Sequence, residues 1–321
     1  MKTIIKLFII MFLVTTYSCE DIIEEDITND NITTLYPKSN EEIISNVVNF
    51  QWNKLKGADN YRLQVYSSNQ NIVLDSLVNN TNFTYALVPG SYQWRVRGEN
   101  FAYETAYTFP LPFTVKQTSD LTNQQVQLLF PNPGIYSKNK ALTFSWSPVS
   151  ASKFYVFQLV NVTNGNLLVH QQDNLNATSY TLAGEIITED AQYLWRVKAV
   201  NDENQTETQY SSRNFYIDTT APNQPQNTLP QNDNHTKINE PVSFEWSIPQ
   251  DNGNANSTFT YTIQIATNEN FTTIVHTDTT TNPSYEYAFT SLNTYFWRVK
   301  ATDKAGNESN YGDFYKITIE Q

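Results

Sequence analysis

The chain has 321 residues, a formal net charge of −12 and a pI near 4.7. This acidity excludes nucleic-acid binding, because that function relies on a basic surface that displaces phosphate counterions. Charged residues make up only 16% of the chain, below the usual quarter, and Asn, Thr, Gln and Ser fill the difference. Such a composition suits exposed β-sheets with glycan or protein partners.

Residues 1–18 are predicted to form a targeting segment. Lys2 and Lys6 supply its positive start, and an apolar run extends from Leu7 to Val14. This run is shorter than the roughly 20 apolar residues that a membrane-spanning helix needs. We therefore expect a signal peptide that is cleaved from the mature protein.

Cys19 is the only cysteine in the chain, so it has no partner for an internal disulfide. Its position directly after Ser18 resembles that of the lipid-modified cysteine of bacterial lipoproteins, although Thr16 and Tyr17 depart from the usual Leu and small residue. The resemblance implies that acyl chains on Cys19 anchor the protein, each buried methylene contributing about 0.8 kcal/mol. The alternative is an ordinary secretory signal that leaves a free thiol.

Residues 19–33 are predicted to form an acidic, lipid-anchored tether. The run from Glu20 to Asp26 is mostly acidic and resembles the export signal that sends Bacteroidetes-type lipoproteins to the outer face of the outer membrane. The resemblance implies an outer-membrane lipoprotein exposed at the cell surface. A solvated acidic tether explains the same charges, and the two interpretations are compatible. Residues 27–34 are polar, and we expect them to be loose.

The pattern Tyr-x-Trp-Arg-Val occurs three times, at Tyr92–Val96, Tyr193–Val197 and Tyr295–Val299. The spacing of about 100 residues is the size of one antiparallel β-sandwich. A second pattern, Phe-x-Trp, precedes each occurrence, at residues 50–52, 144–146 and 244–246. Together the two patterns contain all six tryptophans, so the chain consists of three copies of one module.

Apolar and polar residues alternate within the first of these stretches. Tyr92, Trp94 and Val96 point to one face of a strand, and Gln93 and Arg95 point to the other. The same period of two occurs in an earlier stretch of each copy, with Gln at its middle outward position, at Tyr61–Val65, Tyr155–Leu159 and Tyr261–Ile265. These patterns predict strands with one buried and one solvated face.

These residues resemble the fibronectin type III family, which has a Trp on its second strand, a Tyr-x-Leu/Ile-x-Val third strand and a Tyr-x-Trp-x-Val-x-Ala sixth strand. The first copy departs from this pattern at Gly98. The resemblance implies an all-β chain of three tandem Ig-like or fibronectin type III β-sandwich domains after a lipoprotein signal peptide. It also implies a corner in which the tyrosine that opens the sixth strand, Tyr92, Tyr193 or Tyr295, bonds to the preceding turn.

Each predicted domain begins with a short stretch that ends in proline, at residues 35–37, 129–131 and 228–230. Such a stretch is predicted to be a first strand whose proline protects the edge of the sheet. The predicted domains span residues 34–117, 126–218 and 223–321. The linker from Asp218 to Pro225 contains two prolines, so we expect a semi-rigid rod.

An arginine occupies the same outward position of each sixth strand: Arg95, Arg196 and Arg298. As a functional feature, these would form a row that binds anions, because guanidinium groups suit carboxylates and sulfates. If the third and sixth strands are neighbours, the arginines instead pair across strands with the three outward glutamines, Gln64, Gln158 and Gln264. We favour the cross-strand pairs.

The segment after the sixth strand differs in the first copy. It contains Phe101, Tyr103 and Tyr107, whereas the corresponding loops begin at Asn201 and Asp303 and are polar. Loops at the ends of a sandwich commonly bind partners, and aromatic side chains stack on sugar rings or anchor protein contacts. Phe101, Tyr103 and Tyr107 are therefore the candidate ligand-binding residues. The alternative is that this segment forms the seventh strand, in which every second residue packs into the core.

No pattern in the sequence indicates catalysis. The three histidines are far apart and lack the spacing of a zinc site. The loop of residues 251–256 is rich in oxygen ligands but lacks the EF-hand spacing and its closing Glu, and we interpret it as a plain turn. We predict no enzyme activity, no cofactor and no metal.

The sequence therefore predicts a non-enzymatic cell-surface lipoprotein that presents a binding surface on a rod of β-sandwich domains, for adhesion or polysaccharide capture. Its expected partners are the membrane, through a lipid anchor on Cys19, and a glycan or another envelope protein. The alternative is a structural spacer or an assembly subunit of an envelope protein complex.

Overall fold

The computed structural model describes residues 24–321, and this part of the chain folds almost entirely into strands. Cys19 and the predicted signal peptide lie outside the described residues. Within the described range, 25 strands and one turn of 3-10 helix, Gly184–Ile186, build six sheets in three consecutive pairs. No helix in residues 24–321 has the length and apolar character needed to cross a membrane.

The first pair of sheets contains the first copy of the repeat. Its strands are β1 (Thr34–Tyr36), β2 (Glu41–Ile43), β3 (Val47–Trp52), β4 (Asn60–Ser67), β5 (Ile72–Val78), β6 (Asn82–Ala86), β7 (Gly90–Glu99) and β8 (Leu111–Val115). The strand order is β1-β3-β6 in the small sheet and β2-β8-β7-β4-β5 in the large one. The two tryptophan strands, β3 and β7, therefore lie in opposite sheets.

The second pair repeats this arrangement with one additional short strand. Its strands are β9 (Leu128–Phe130), β10 (Tyr136–Ser137), β11 (Thr143–Trp146), β12 (Phe154–Asn161), β13 (Leu167–Leu175), β14 (Ser179–Thr181), β15 (Ala191–Asn201), β16 (Thr206–Glu207) and β17 (Ser211–Ile217). The orders are β14-β11-β9 and β10-β17-β15-β12-β13, with β16 paired to β15. β10 runs parallel to β17.

The third pair has the same topology. Its strands are β18 (Asn227–Leu229), β19 (Asn234–Lys237), β20 (Pro241–Trp246), β21 (Thr260–Ala266), β22 (Ile274–Thr280), β23 (Ser284–Ala288), β24 (Thr294–Thr302) and β25 (Tyr315–Glu320). The orders are β18-β20-β23 and β19-β25-β24-β21-β22, and β19 runs parallel to β25. Three sandwiches of this kind confirm the predicted all-β, fibronectin type III-like fold.

The predicted first strands are also confirmed. β1, β9 and β18 each pair antiparallel with the Phe-x-Trp strand of their own copy.

The exact domain limits stay a prediction. Contacts between residues divide the chain into two compact units, of which the first takes the chain up to Glu42 with Val48–Tyr85 and Gly90–Thr114, and the second takes Ile43–Val47, Ala86–Pro89 and Val115–Gln321.

Each sandwich encloses a core built around the tryptophan of its longest strand. Trp94, Trp195 and Trp297 are fully buried. A phenylalanine of the small sheet packs on each indole, with ring centroids 5.3 Å apart for Phe50–Trp94, 5.1 Å for Phe144–Trp195 and 4.9 Å for Phe244–Trp297. The alternation in the sequence is thus the inner face of the large sheet, since buried and half-buried residues alternate along the whole of β15.

The predicted tyrosine corner is present in the second and third sandwiches. The hydroxyl of Tyr193 donates a 2.9 Å hydrogen bond to the carbonyl of Glu189, and that of Tyr295 donates a 3.1 Å bond to the carbonyl of Ser291. In the first sandwich the ring of Tyr92 lies directly beside Gly90. The bonds of Tyr193 and Tyr295 fix the turn that leads into the sixth strand of their sandwiches.

The chain directly before the first sandwich is packed, and the expectation that residues 27–34 are loose is wrong for Ile27. Ile27 is fully buried beside Gly57. The carbonyl of Glu25 accepts a 2.8 Å hydrogen bond from Asn100 Nδ2, and Lys56 Nζ lies 2.9 Å from a Glu25 carboxylate oxygen. The physical reason is that one apolar side chain inside the polar segment occupies a site at the end of the sandwich.

Removal of one corner hydroxyl tests this part of the fold. In Tyr193→Phe the carbonyl of Glu189 loses its partner, and we expect the free energy of unfolding to fall by about 1 kcal/mol. Urea denaturation followed by circular dichroism measures the change. Tyr103→Phe is the matched control. We expect its free energy of unfolding to be unchanged, because Tyr103 is 38% exposed. An unchanged urea midpoint for Tyr193→Phe would contradict a stabilising role of the corner.

Candidate functional site

The outward face of each large sheet carries a glutamine and an arginine on neighbouring strands. The cross-strand partners are Gln64 and Arg95, Gln158 and Arg196, and Gln264 and Arg298. In each pair the guanidinium donates to the amide oxygen, with closest distances of 2.7, 2.7 and 2.8 Å respectively. This confirms the cross-strand interpretation of the three arginines.

A tyrosine covers each of these guanidinium groups. The arginine carbon Cζ lies 4.1 Å from the ring centre of Tyr107 in the first copy, 4.7 Å from that of Tyr210 in the second and 4.0 Å from that of Tyr311 in the third. A cation over an aromatic face is attracted by the ring quadrupole. The Gln–Arg–Tyr unit is therefore a repeated structural feature of the sandwich.

A hydroxyl two residues before each tyrosine sets its position. Thr105 accepts a 3.1 Å hydrogen bond from the backbone N–H of Gly98. The corresponding bonds are 3.0 Å from Ala199 to Thr208 and 2.9 Å from Ala301 to Ser309. The chain after the sixth strand thus returns along that strand in the same way in all three copies.

Tyr107 is consequently not an exposed binding residue, which corrects the sequence-based assignment. Its ring is half-buried over Arg95 and Arg97, and this burial raises the pKa of its hydroxyl. Its equivalents Tyr210 and Tyr311 occupy the same place in the other copies. A shared pattern identifies this role in the sequence. It reads Thr-x-Tyr at 105–107, Thr-x-Tyr at 208–210 and Ser-x-Tyr at 309–311.

Two of the three outward arginines contact a further ring, and Cζ of Arg95 lies 5.1 Å from the ring centre of Tyr66. Arg298 lies between Tyr311 and a second ring, Phe271, whose centre is 3.9 Å from its Cζ. In the first copy, Glu99 lies 2.8 Å from nitrogens of both Arg62 and Arg97. The guanidinium groups therefore stabilise the sheet face, and they do not form a free row for anions.

The aromatic segment of the first copy begins with a turn that Asn100 holds. Its Oδ1 accepts hydrogen bonds from the backbone N–H groups of Ala102 (3.1 Å) and Tyr103 (2.7 Å), and its own N–H donates to the carbonyl of Tyr103 (2.9 Å). Its Nδ2 donates to the carbonyls of Glu25 (2.8 Å) and Gly57 (2.9 Å). Both ends of the Asn100 amide are therefore bonded, which orders the turn.

Two aromatic side chains of this turn face solvent. Phe101 is 94% exposed and Tyr103 is 38% exposed. A further residue, Phe109, is 90% exposed, but it lies at the far end of the returning segment, beyond the bond from Thr108 N to Val96 O. Phe109 was not among the binding residues predicted from the sequence. We define the aromatic turn as Asn100–Tyr103, with Phe101 and Tyr103 as its exposed rings.

A cluster of carboxylates lies where the second sandwich ends and the third begins. Asp218, Asp251 and Asp303 place carboxylate oxygens within 4.8 Å of one another. Burial, together with the neighbouring carboxylates, raises the pKa of Asp218 to about 6. Asp218 and Asp303 were not predicted from the sequence, although a signal was present: the residue at the position of Asp303 is Asn100 in the first copy and Asn201 in the second.

Residues 199–309 match the family described as SusE outer membrane protein. This range covers the end of the second sandwich and most of the third, and the match confirms the predicted outer-membrane location. The lipid anchor on Cys19 lies outside the described residues and stays a prediction. No curated protein matches the chain.

The chain is also similar to solved structures of tandem domains. Domains FN1–FN3 of chicken CNTN1 have 15% identity and a TM-score of 0.45, with 91% of this chain and 98% of that chain covered. Fibronectin(III)-like modules of Clostridium thermocellum CbhA have 16% identity and a TM-score of 0.38, covering 61% and 95%. Titin domains A168–A170 have 13% identity and a TM-score of 0.37, covering 90% and 99%.

The outward arginines of the second and third copies differ in the number of aromatic rings that they contact, and this difference can be tested. Arg298 contacts two rings and Arg196 contacts the single ring of Tyr210. We expect Arg298→Ala to lower the free energy of unfolding by about 0.5–1 kcal/mol more than Arg196→Ala, since one further cation–π contact is lost. Urea denaturation of the two variants measures the difference. An equal or smaller loss for Arg298→Ala would contradict the structural role assigned to the second ring.

Proposed function

We propose that the chain is a non-enzymatic lipoprotein of the cell surface that captures polysaccharide through the aromatic turn of its first sandwich. The observation that carries this proposal is the 94% exposure of Phe101 on a turn whose backbone is fixed by Asn100. An exposed ring on an ordered turn loses little conformational entropy when it is covered by a ligand. The described residues, 24–321, leave the apolar surface of Phe101 almost entirely open.

The contrast between the three copies supports this assignment. Their sixth strands, outward Gln–Arg–Tyr units and cores are built alike, so the scaffold does not explain a phenylalanine at this place. The positions that follow Asn100, Asn201 and Asp303 are Phe101, Asp202 and Lys304. Only the first copy thus offers an aromatic face at the end of its sixth strand, which points to a specific role for that turn.

The charges around the aromatic turn favour an uncharged glycan. The carboxylate of Glu104 is 59% exposed although it contacts Arg97 at 2.7 Å, and the whole chain carries a net charge of −12. A negative surface repels polyanions over distances of about 10 Å at ordinary ionic strength. A neutral sugar presents its C–H groups to an aromatic face without this repulsion. The hydroxyl groups of the sugar can form hydrogen bonds with the nearby carboxylates and amides.

The location of the protein supports the same function. The SusE family is described as an outer membrane protein, and Cys19 follows a predicted signal peptide. Two or three acyl chains on Cys19 would give lasting attachment to the membrane. The acidic run behind the anchor supports display on the outer face, where a polysaccharide is accessible.

Affinity electrophoresis tests the glycan-binding role. Soluble protein of residues 24–321 is run through native gels that contain neutral glucans, mannans or xylans, beside Phe101→Ala/Tyr103→Ala. We expect one polysaccharide to retard the unmodified protein, and the double variant to bind it about thirtyfold more weakly, as for loss of about 2 kcal/mol at a binding hot spot. Phe109→Ala is the matched control, because Phe109 is 90% exposed outside the turn, and it retains binding.

The outcomes of this experiment distinguish glycan capture from a role as a spacer or assembly subunit. Retardation that the Phe101→Ala/Tyr103→Ala variant retains would contradict the assignment to the aromatic turn. No retardation of the unmodified protein by any polysaccharide would contradict glycan capture. In that case the exposed rings would serve a contact with another envelope protein, as expected of a spacer or assembly subunit.

The lipid anchor has its own test. In Cys19→Ser the acyl acceptor is lost, and we expect the protein to leave the membrane fraction and to lose labelling by radioactive palmitate. Fractionation of cells that express the full-length chain measures both effects. Ser18→Ala is the control that retains a small residue before the cysteine and keeps the label. A membrane-bound Cys19→Ser protein would contradict anchoring through this residue.

A further inference from the structure

The joint between the second and third sandwiches brings together three carboxylates from three different segments. Asp218 follows β17, Asp251 lies in the loop between β20 and β21, and Asp303 follows β24. One carboxylate oxygen of each lies within 4.8 Å of the others. All three residues belong to the same compact unit of the structure.

Two of the six carboxylate oxygens are buried without a hydrogen-bond partner: Asp218 Oδ2 and Asp251 Oδ1. Asp218 is fully buried, and its other oxygen accepts a 3.1 Å bond from the N–H of Thr220. The other oxygen of Asp251 accepts a 2.7 Å bond from the N–H of Ser257. A buried carboxylate oxygen without a partner is costly, so these two atoms call for a further ligand.

Asp303 differs from the other two residues in that the protein positions both of its oxygens. Oδ1 accepts a 2.9 Å bond from the backbone N–H of Asn307, and Oδ2 accepts a 2.8 Å bond from Asn307 Nδ2. The same Nδ2 donates to the carbonyl of Asp218 at 2.9 Å. Asn307 thus holds the Asp303 carboxylate next to the linker that carries Asp218.

No positive side chain of the described residues compensates this cluster through an ion pair. The salt bridges within residues 24–321 include none of Asp218, Asp251 and Asp303. Burial raises the pKa of Asp251, as it does that of Asp218, and the nearby carboxylate of Asp303 raises it further. Three close carboxylates repel one another unless a cation lies between them.

The first two copies show what the joint looks like without this cluster. In each, the linker contains the same turn, in which an aspartate oxygen accepts from the N–H two residues later: Asp26 from Thr28 and Asp120 from Thr122. Both of these aspartates are exposed, whereas Asp218, which accepts from Thr220 in the same manner, is buried. The burial of the aspartate therefore distinguishes the third joint.

The residue opposite the linker also changes. In the first copy Asn100 Nδ2 donates to the carbonyl of Glu25, and in the second Asn201 Nδ2 donates to the carbonyl of Ser119 at 3.2 Å. The third copy has Asp303 at this position, and a carboxylate has no proton to donate at neutral pH. In the third copy Asn307 makes the amide-to-linker bond instead, and the position of Asn100 and Asn201 holds a carboxylate that faces other carboxylates.

From this geometry we infer that Asp218, Asp251 and Asp303 bind a calcium ion, which joins the linker to two loops of the third sandwich. Carboxylate oxygens are the ligands of hard divalent cations, and calcium accepts six to eight oxygens in irregular geometry, including backbone carbonyls and water. Ligands from three separate segments suit calcium better than magnesium, which demands a near-ideal octahedron. The absence of His and Cys from the cluster does not suit zinc.

The consequence is a joint whose stiffness depends on calcium. The ion would connect the end of β17 with the loops after β20 and β24, so that it cross-links the second and third copies. This inference is independent of the aromatic turn, which lies in the first copy. It also replaces the interpretation of residues 251–256 as a plain turn.

Isothermal titration calorimetry of the EDTA-treated protein, residues 24–321, with calcium chloride tests the inference, and differential scanning calorimetry measures the melting temperature. We expect one site, and a melting temperature that is higher in calcium than in EDTA. Magnesium chloride is expected to bind at least tenfold more weakly. Absence of binding heat and of any shift in melting temperature at millimolar calcium would overturn the inference.

Two variants separate a ligand role from a structural one. Asp303→Asn places the residue of the other two copies at this position, and we expect calcium affinity to fall at least tenfold. The same variant in EDTA is expected to melt close to the unmodified protein in EDTA, because the removal of one repelling charge offsets the loss of one bond from Asn307. Asp202→Asn changes an exposed aspartate of the corresponding loop in the second copy and should bind calcium normally. Unchanged affinity in Asp303→Asn, or equal loss in Asp202→Asn, would overturn the assignment.

Discussion

The contact between one tryptophan and one phenylalanine from opposite sheets organises every copy of this module. A buried indole removes about 150–250 Å² from water, and aromatic side chains of this size dominate the energetics of a core. To place Trp94, Trp195 or Trp297 inward, the long strand must alternate its residues, and Arg95, Arg196 and Arg298 are then forced outward. The Gln–Arg–Tyr face of each sheet is therefore a consequence of the core.

The features that depend on this alternation could be predicted from the sequence. The strands, the first-strand pairing and the cross-strand Gln64–Arg95 type of contact all follow from the period of two and from the resemblance to the fibronectin type III family. The role of Tyr107 could not be predicted from that period, because it depends on a side-chain hydrogen bond from Gly98 to Thr105. The burial of Ile27 likewise depends on a site that only the folded sandwich creates.

The three copies use the same scaffold to hold different groups at the end of the sixth strand. Asn100 orders an aromatic turn, Asn201 bonds to the linker before its own sandwich, and Asp303 completes a carboxylate cluster. Asp251 was visible in the sequence as part of an oxygen-rich loop, but its partners Asp218 and Asp303 are distant in the chain. A metal site formed by such distant residues has no local pattern, so the copies must be compared position by position to detect it.

The three copies share one scaffold, and one specialised turn of the first copy carries the proposed binding role. Hydrogen–deuterium exchange of residues 24–321, with and without a polysaccharide that retards the protein in gels, tests this division of roles. We expect bound polysaccharide to slow exchange in residues 99–105 and to leave exchange in the outer sheet faces and in the other two copies unchanged. Slower exchange along the sheet faces, or confined to the second or third sandwich, would contradict it.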